Sequence, residues 1–101
     1  MTSGKVRPSR DGATDRLDGL VAALTGIADN DTMRRFLRDL CTVAELDAMG
    51  QRLQVAALVE QGVPYAEISR VTGASTATVT RVAHWLRYGE GGYLQVLKAA
   101  Q

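Results

Sequence analysis

Residues 65–88 read YAEISRVTGASTATVTRVAHWLRY, and the fold turns on how the middle of this stretch is read. TATVT, at 76–80, is the one short run with the β-branched residues of a strand, yet its threonines fit a capped helix start as well. Apolar residues at helical spacing lie on both sides of it: Ile68 and Val71 before, then Val79, Val82 and Leu86 after. Between them Gly73 permits a backbone turn that a side chain would obstruct, and Ala74 is small enough to fit under that turn. Ser75 or Thr76 then caps a helix running to about Tyr88. Two short helices across a glycine turn, the second opening on small and hydroxylated residues, form the helix-turn-helix pattern, here at about 64–88.

That geometry predicts Ser75, Thr76, Ala77 and Thr80 at the exposed start of the second helix. Side chains of this size enter a DNA major groove without steric conflict; hydroxyls bond base edges or phosphates, and methyls meet the thymine methyl. Between 65 and 88 the basic residues Arg70, Arg81 and Arg87 oppose only Glu67. Phosphate contact needs such a cluster, although a solvated helix face has the same composition. The bland alternative is a helical hairpin whose Ser and Thr serve only as caps. The whole chain carries a formal charge of only +1, so the case for DNA rests on local placement and not on an overall basic field.

Working outward, the remaining elements also read as helices. Leu17, Leu20, Val21 and Leu24 mark one face of a helix from Asp15 to about Gly26. The DND at 29–31 caps a second helix with the stripe Met33, Phe36, Leu37 and Leu40. Thr42 and Glu45 have the spacing of a reciprocal capping box, which opens the longest helix through Leu46, Met49, Leu53, Ala56, Ala57 and Val59. Gly62 ends it in a left-handed conformation and Pro64 opens the next. A last short helix over 93–100 uses Leu94, Val96 and Leu97. The class is therefore all-α: a basic, aperiodic tail over 1–14, then one helical domain over 15–101.

At 101 residues the chain has room for one domain whose modest core a partner chain would help. Cys41, the single cysteine, sits in an apolar helical pattern and can form neither an internal disulfide nor a metal cluster, so a buried thiol in a reducing compartment is expected. No apolar run resembles a signal peptide or a membrane span; a cytoplasmic protein without a membrane role is expected. No nucleophile, base and orienting group stand together, and no paired acids or glycine-rich phosphate loop occur, so neither an enzyme nor a bound cofactor is expected. His84, flanked by Ala83 and Trp85, reads as a polar surface or phosphate contact.

The run TVAELDAMGQRLQVAALVEQGVPYAEISRVTGASTATVTR, residues 42–81, resembles the DNA-binding half of the Trp repressor superfamily. The C-terminal LRYGEGGY is similar to its YerC/YecD branch. The resemblance implies a helical, intertwined homodimer that binds double-stranded DNA at a near-palindromic operator as a transcriptional regulator, most simply a repressor. It also implies a base-reading segment at Thr76, Ala77 and Thr80, with Ser69 in the preceding helix. None is a long donor, so water and DNA shape carry part of the specificity; recognition of that kind, like the docking geometry, is a property of the Trp repressor that the resemblance carries over. In tryptophan sensors of this superfamily two arginines and a threonine hold the ligand, at positions matching Arg52, Arg81 and Thr42. Here Val82 stands where a sensor has glycine and Trp85 where it has serine, which implies a slot filled by the protein's own side chains and no response to tryptophan. Outside a sensing role, Arg52 and Arg81 bond helix ends or phosphates. The alternatives are a helical protein-interaction module without DNA binding, and a small-molecule sensor.

Overall fold

The computed structural model describes residues 12–100, with side chains from residue 15 onward; residues 1–11 of the expected basic tail lie outside the described residues. The described residues form six helices and no strand: α1 (Gly12–Thr25), α2 (Asn30–Leu40), α3 (Val43–Glu60), α4 (Tyr65–Thr72), α5 (Thr76–Tyr88) and α6 (Gly92–Ala99). The chain divides after Cys41 into two compact units.

The first unit holds α1 and α2. α1 begins at Gly12, three residues inside the expected tail, so the helix takes in more of the polar leader than its apolar stripe requires. α2 is capped by Asp29, whose carboxylate accepts from the Thr32 N–H at 2.9 Å. That backbone hydrogen bond, with the Thr32 side chain second, holds the Asp29 carboxyl below its ordinary value. The helix closes where the Cys41 N–H bonds the Leu37 carbonyl. Cys41 is half-buried rather than enclosed, and α2 buries no residue fully within the single chain.

In the second unit, α3 opens on the expected capping box. Glu45 N–H donates to Thr42 Oγ1 at 3.0 Å, and Thr42 N–H donates to Glu45 Oε1 at 2.7 Å. At its other end Gly62 adopts φ 82°, while Val63 N–H reaches the Leu58 carbonyl and Gly62 N–H the Val59 carbonyl. These bonds are the Schellman pattern, which turns the chain and satisfies carbonyls the helix leaves unpaired. Pro64 sits just before α4 and not in its first turn; with no N–H to donate, it loses nothing there.

The core gathers Val55, Ala56 and Val59 of α3, Ile68 of α4, Ala74 of the turn, and Val79, Val82, Ala83 and Leu86 of α5. α3 lies against α4 and α5, and α6 closes on α3 and α5. Three details depart from the periodicity reading. Val71 is 51% exposed; one turn after Ile68 the inward position passes to Thr72, whose hydroxyl donates to the Ile68 carbonyl at 2.7 Å. α6 packs through Tyr93 and Leu97, four residues apart, leaving Leu94 and Val96 exposed. On α3 Val55 is fully buried alongside the expected Ala56, while Met49 and Leu53 stay on the exposed side. Because α3 is apolar around most of its circumference, spacing alone could not tell which stripe faces this core.

Candidate nucleic-acid interface

The turn between α4 and α5 is built almost wholly by side chains that bond backbone. Gly73 adopts φ 77°, a left-handed conformation that other residues enter only at a cost, and its N–H bonds the Ser69 carbonyl. The Ser69 hydroxyl donates to the Ala74 carbonyl, and the Thr72 hydroxyl accepts from the Ala74 N–H at 3.1 Å. From α3, Gln51 Nε2 donates to the Thr72 carbonyl at 3.2 Å. Ser75 then caps α5, its hydroxyl accepting from Thr78 N–H at 3.1 Å. Four of these groups lie within residues 69–75; Gln51 reaches the turn from another helix.

From this fixed start α5 divides into two faces. Val79, Val82, Ala83 and Leu86 are buried, whereas Thr76, Ala77, Thr80, Arg81 and His84 are exposed. Spacings of three and four residues put Ala77, Thr80, Arg81 and His84 on one stripe. Ser75, Thr76, Ala77, Thr80 and Arg81 therefore stand together as small, hydroxylated and basic groups at the N-terminal half of α5. At its C-terminal half Arg87 donates to the Tyr65 hydroxyl at 3.1 Å, tying the helix end back to the start of α4.

The other candidates divide. Arg70 is exposed on α4, but its guanidinium forms two hydrogen bonds with the Glu67 carboxylate, Nε–Oε1 at 3.0 Å and Nη2–Oε2. The bond to Arg70 holds the Glu67 carboxyl below its ordinary value. A phosphate would have to compete with that partner for Arg70. Ser69 is half-buried and its proton is given to the Ala74 carbonyl, so its hydroxyl presents to solvent only its remaining acceptor capacity. Arg52 is exposed on α3.

The residues matched to a sensor pocket are divided between α3, which Thr42 caps, and α5. Thr42 and Arg52 belong to the same α3 segment, ten residues or roughly 15 Å apart along the axis at the helical rise per residue. Val82 is buried in the core, but Trp85 is 55% exposed in the single chain and does not join that core. It packs instead edge-on to His84, with ring centroids 5.1 Å apart, and His84 leans on Tyr88 at 5.2 Å. A cleft of about 310 Å³ lies elsewhere, lined by Glu60, Leu94, Leu97 and Lys98. Among the described residues, no helix is long and apolar enough to cross a membrane.

Sequence reasoning missed Gln51 and Thr72 as parts of the site's scaffold. A signal for Gln51 existed: it precedes Val55 and Val59 at four-residue steps, an amide at the edge of a core stripe.

A helix-turn-helix held in an all-helical frame, with an exposed small, hydroxylated and basic face on its second helix, defines the class of helical DNA-binding regulators. Within that class the chain belongs to the Trp repressor family: the family model described as Trp repressor protein matches residues 15–101. YerC of Bacillus subtilis is 41% identical over 81 residues, covering 80% of this chain and 78% of that protein. The Trp operon repressor homolog of Haemophilus influenzae is 31% identical over 71 residues, covering 69% and 70%. The crystal structure of a TrpR like protein from Eubacterium eligens superposes with a TM-score of 0.81 at 35% identity, covering 85% of this chain and 89% of that one.

Proposed function

We propose that the protein is a sequence-specific regulator that binds double-stranded DNA as a homodimer and represses by occupying a near-palindromic operator. The observation that carries this reading is the division of α5: four apolar residues hold it in the core while Thr76, Ala77, Thr80 and Arg81 face solvent. A two-fold axis would bring two such helices into successive major grooves about 34 Å apart, and the operator would share that symmetry. The dimer is supported by large apolar side chains exposed in the single chain: Leu17, Leu20 and Val21 on α1, Leu40 on α2, and Val43, Met49 and Leu53 on α3. A partner chain covers surface of that kind. Repression is carried over from likeness to the relative called a Trp operon repressor homolog.

Binding is taken to need no tryptophan. Val82, where the resemblance gives a sensor its glycine, is buried in the core, and Trp85 stands in place of a sensor's serine. Fluorescence anisotropy with operator DNA at several salt concentrations, with and without tryptophan, tests the reading. Affinity that falls steeply with salt, weakens in Thr80→Ala and Arg81→Ala, and ignores tryptophan is expected. Unchanged affinity in both folded variants would refute it. The second reading, a helical protein-interaction module, is favoured by the pairing of Arg70 with Glu67; DNA affinity that is weak and flat with salt would select it.

A further inference from the structure

Resting on that reading, we propose that Gln51 is a positioning residue of the DNA-reading unit, whose side-chain amide fixes the turn from which α5 projects. Gln51 is half-buried on the stripe of α3 that carries Val55 and Val59, both buried. Its Nε2 donates to the carbonyl of Thr72, the last residue of α4, at 3.2 Å. A carbonyl at that position has no partner inside its own helix, so the amide supplies one from a different element. Thr72 is thereby held on two sides: its carbonyl is bonded to α3, while its hydroxyl donates to Ile68 and accepts from Ala74. A Cβ built on Gly73 would come 4.0 Å from the same Nε2, so the amide lies along the left-handed residue that turns the chain into α5.

Among the described residues the Gln51–Thr72 bond is the side-chain hydrogen bond between α3 and the α4–α5 pair, and the core they share is apolar. Burial of apolar surface is non-directional and holds α5 against the core without fixing its tilt closely, whereas a hydrogen bond to a carbonyl has a preferred distance and angle. The Gln51–Thr72 bond therefore sets the direction in which Thr76, Ala77 and Thr80 meet a groove. Base contacts depend on that direction, while phosphate attraction is far less sensitive to it.

The test uses full-length protein, a duplex enriched by the wild type from random DNA, and a scrambled duplex of equal length. Gln51→Met keeps volume and helix preference but removes the donor; Gln51→Glu keeps shape and sets oxygen against oxygen. With both variants folded by circular dichroism, affinity for the enriched duplex should drop about fivefold or more, the value of one net hydrogen bond. Affinity for the scrambled duplex should stay within about twofold, because phosphate contacts dominate it. Selectivity equal to wild type in either variant, or equal losses on both duplexes, would overturn the positioning role alone. A wild type that enriches no sequence would instead overturn the DNA-reading proposal, and the role of Gln51 would fall with it.

Discussion

Gly73→Ala and Gly89→Ala each add one methyl group, and the two should destabilise the protein for different reasons. At Gly73 there is room: the nearest atom to the new Cβ is Gln51 Nε2, at 4.0 Å. The cost lies in the backbone, because φ is 77° and an L side chain pays roughly 1–2 kcal/mol in the left-handed region. For a domain of this size each kcal/mol lowers the midpoint of thermal unfolding by about 4–8 °C. Asn enters that region more readily, so Gly73→Asn should recover part of the loss. At Gly89 φ is −87°, outside the left-handed region, but a Cβ would sit 2.5 Å from the Trp85 carbonyl oxygen. The Gly89 N–H closes α5 on that same carbonyl at 3.0 Å, so the last turn must shift and its closing bond, worth about 1 kcal/mol, is lost with it. Ala and Asn should therefore be equally harmful at 89. Thermal unfolding followed by far-UV circular dichroism, at one fixed protein concentration because association raises the midpoint, separates the two cases. A Gly73→Asn variant no better than Gly73→Ala, or a Gly89→Ala variant as stable as wild type, would refute this reasoning.

Ile68→Ala, which empties a fully buried position, should cost about 2–5 kcal/mol, whereas Val71→Ala, half exposed, should stay within roughly 0.5 kcal/mol by urea unfolding. Thr42→Ala removes one half of the capping box and should cost about 1 kcal/mol in the same assay. Asp29 has a folded pKa below its ordinary value of 3.8, so its contribution to stability is present above that pH and is lost as pH falls through the folded value. Asp29→Asn keeps a capping oxygen without the titration, and the acid limb of its stability curve should be shallower than that of wild type.

Most helix boundaries were legible because the signals that set them are local. Asp29, the Thr42–Glu45 box, Gly62, Gly73 and Ser75 each act on backbone within five residues, and each stands at a helix end in the structure. The facing of short helices was not legible. α4 and α6 have eight residues each, about two turns, too few for periodicity to separate Ile68 from Val71 or Leu97 from Val96. The exposed candidates at the start of α5 follow from the same local rules, since a capped start fixes which residues the buried Val79 and Val82 leave outside. Gln51 was hidden because its partner is 21 residues away. The state of Arg70 was missed for another reason: Glu67 was visible as an opposing charge, but its three-residue spacing on the same helix makes it a direct partner. The exposure of Trp85 depends on how α5 rolls against the core, which no local pattern encodes.

Selection of bound fragments from genomic DNA, using purified wild-type protein and Arg81→Ala side by side, bears most directly on DNA reading by α5. Enrichment of a shared near-palindromic motif by the wild type, and its loss in the folded variant, is the expected result. Recovery of no motif by the wild type, or of the same motif with equal strength by Arg81→Ala, would contradict it.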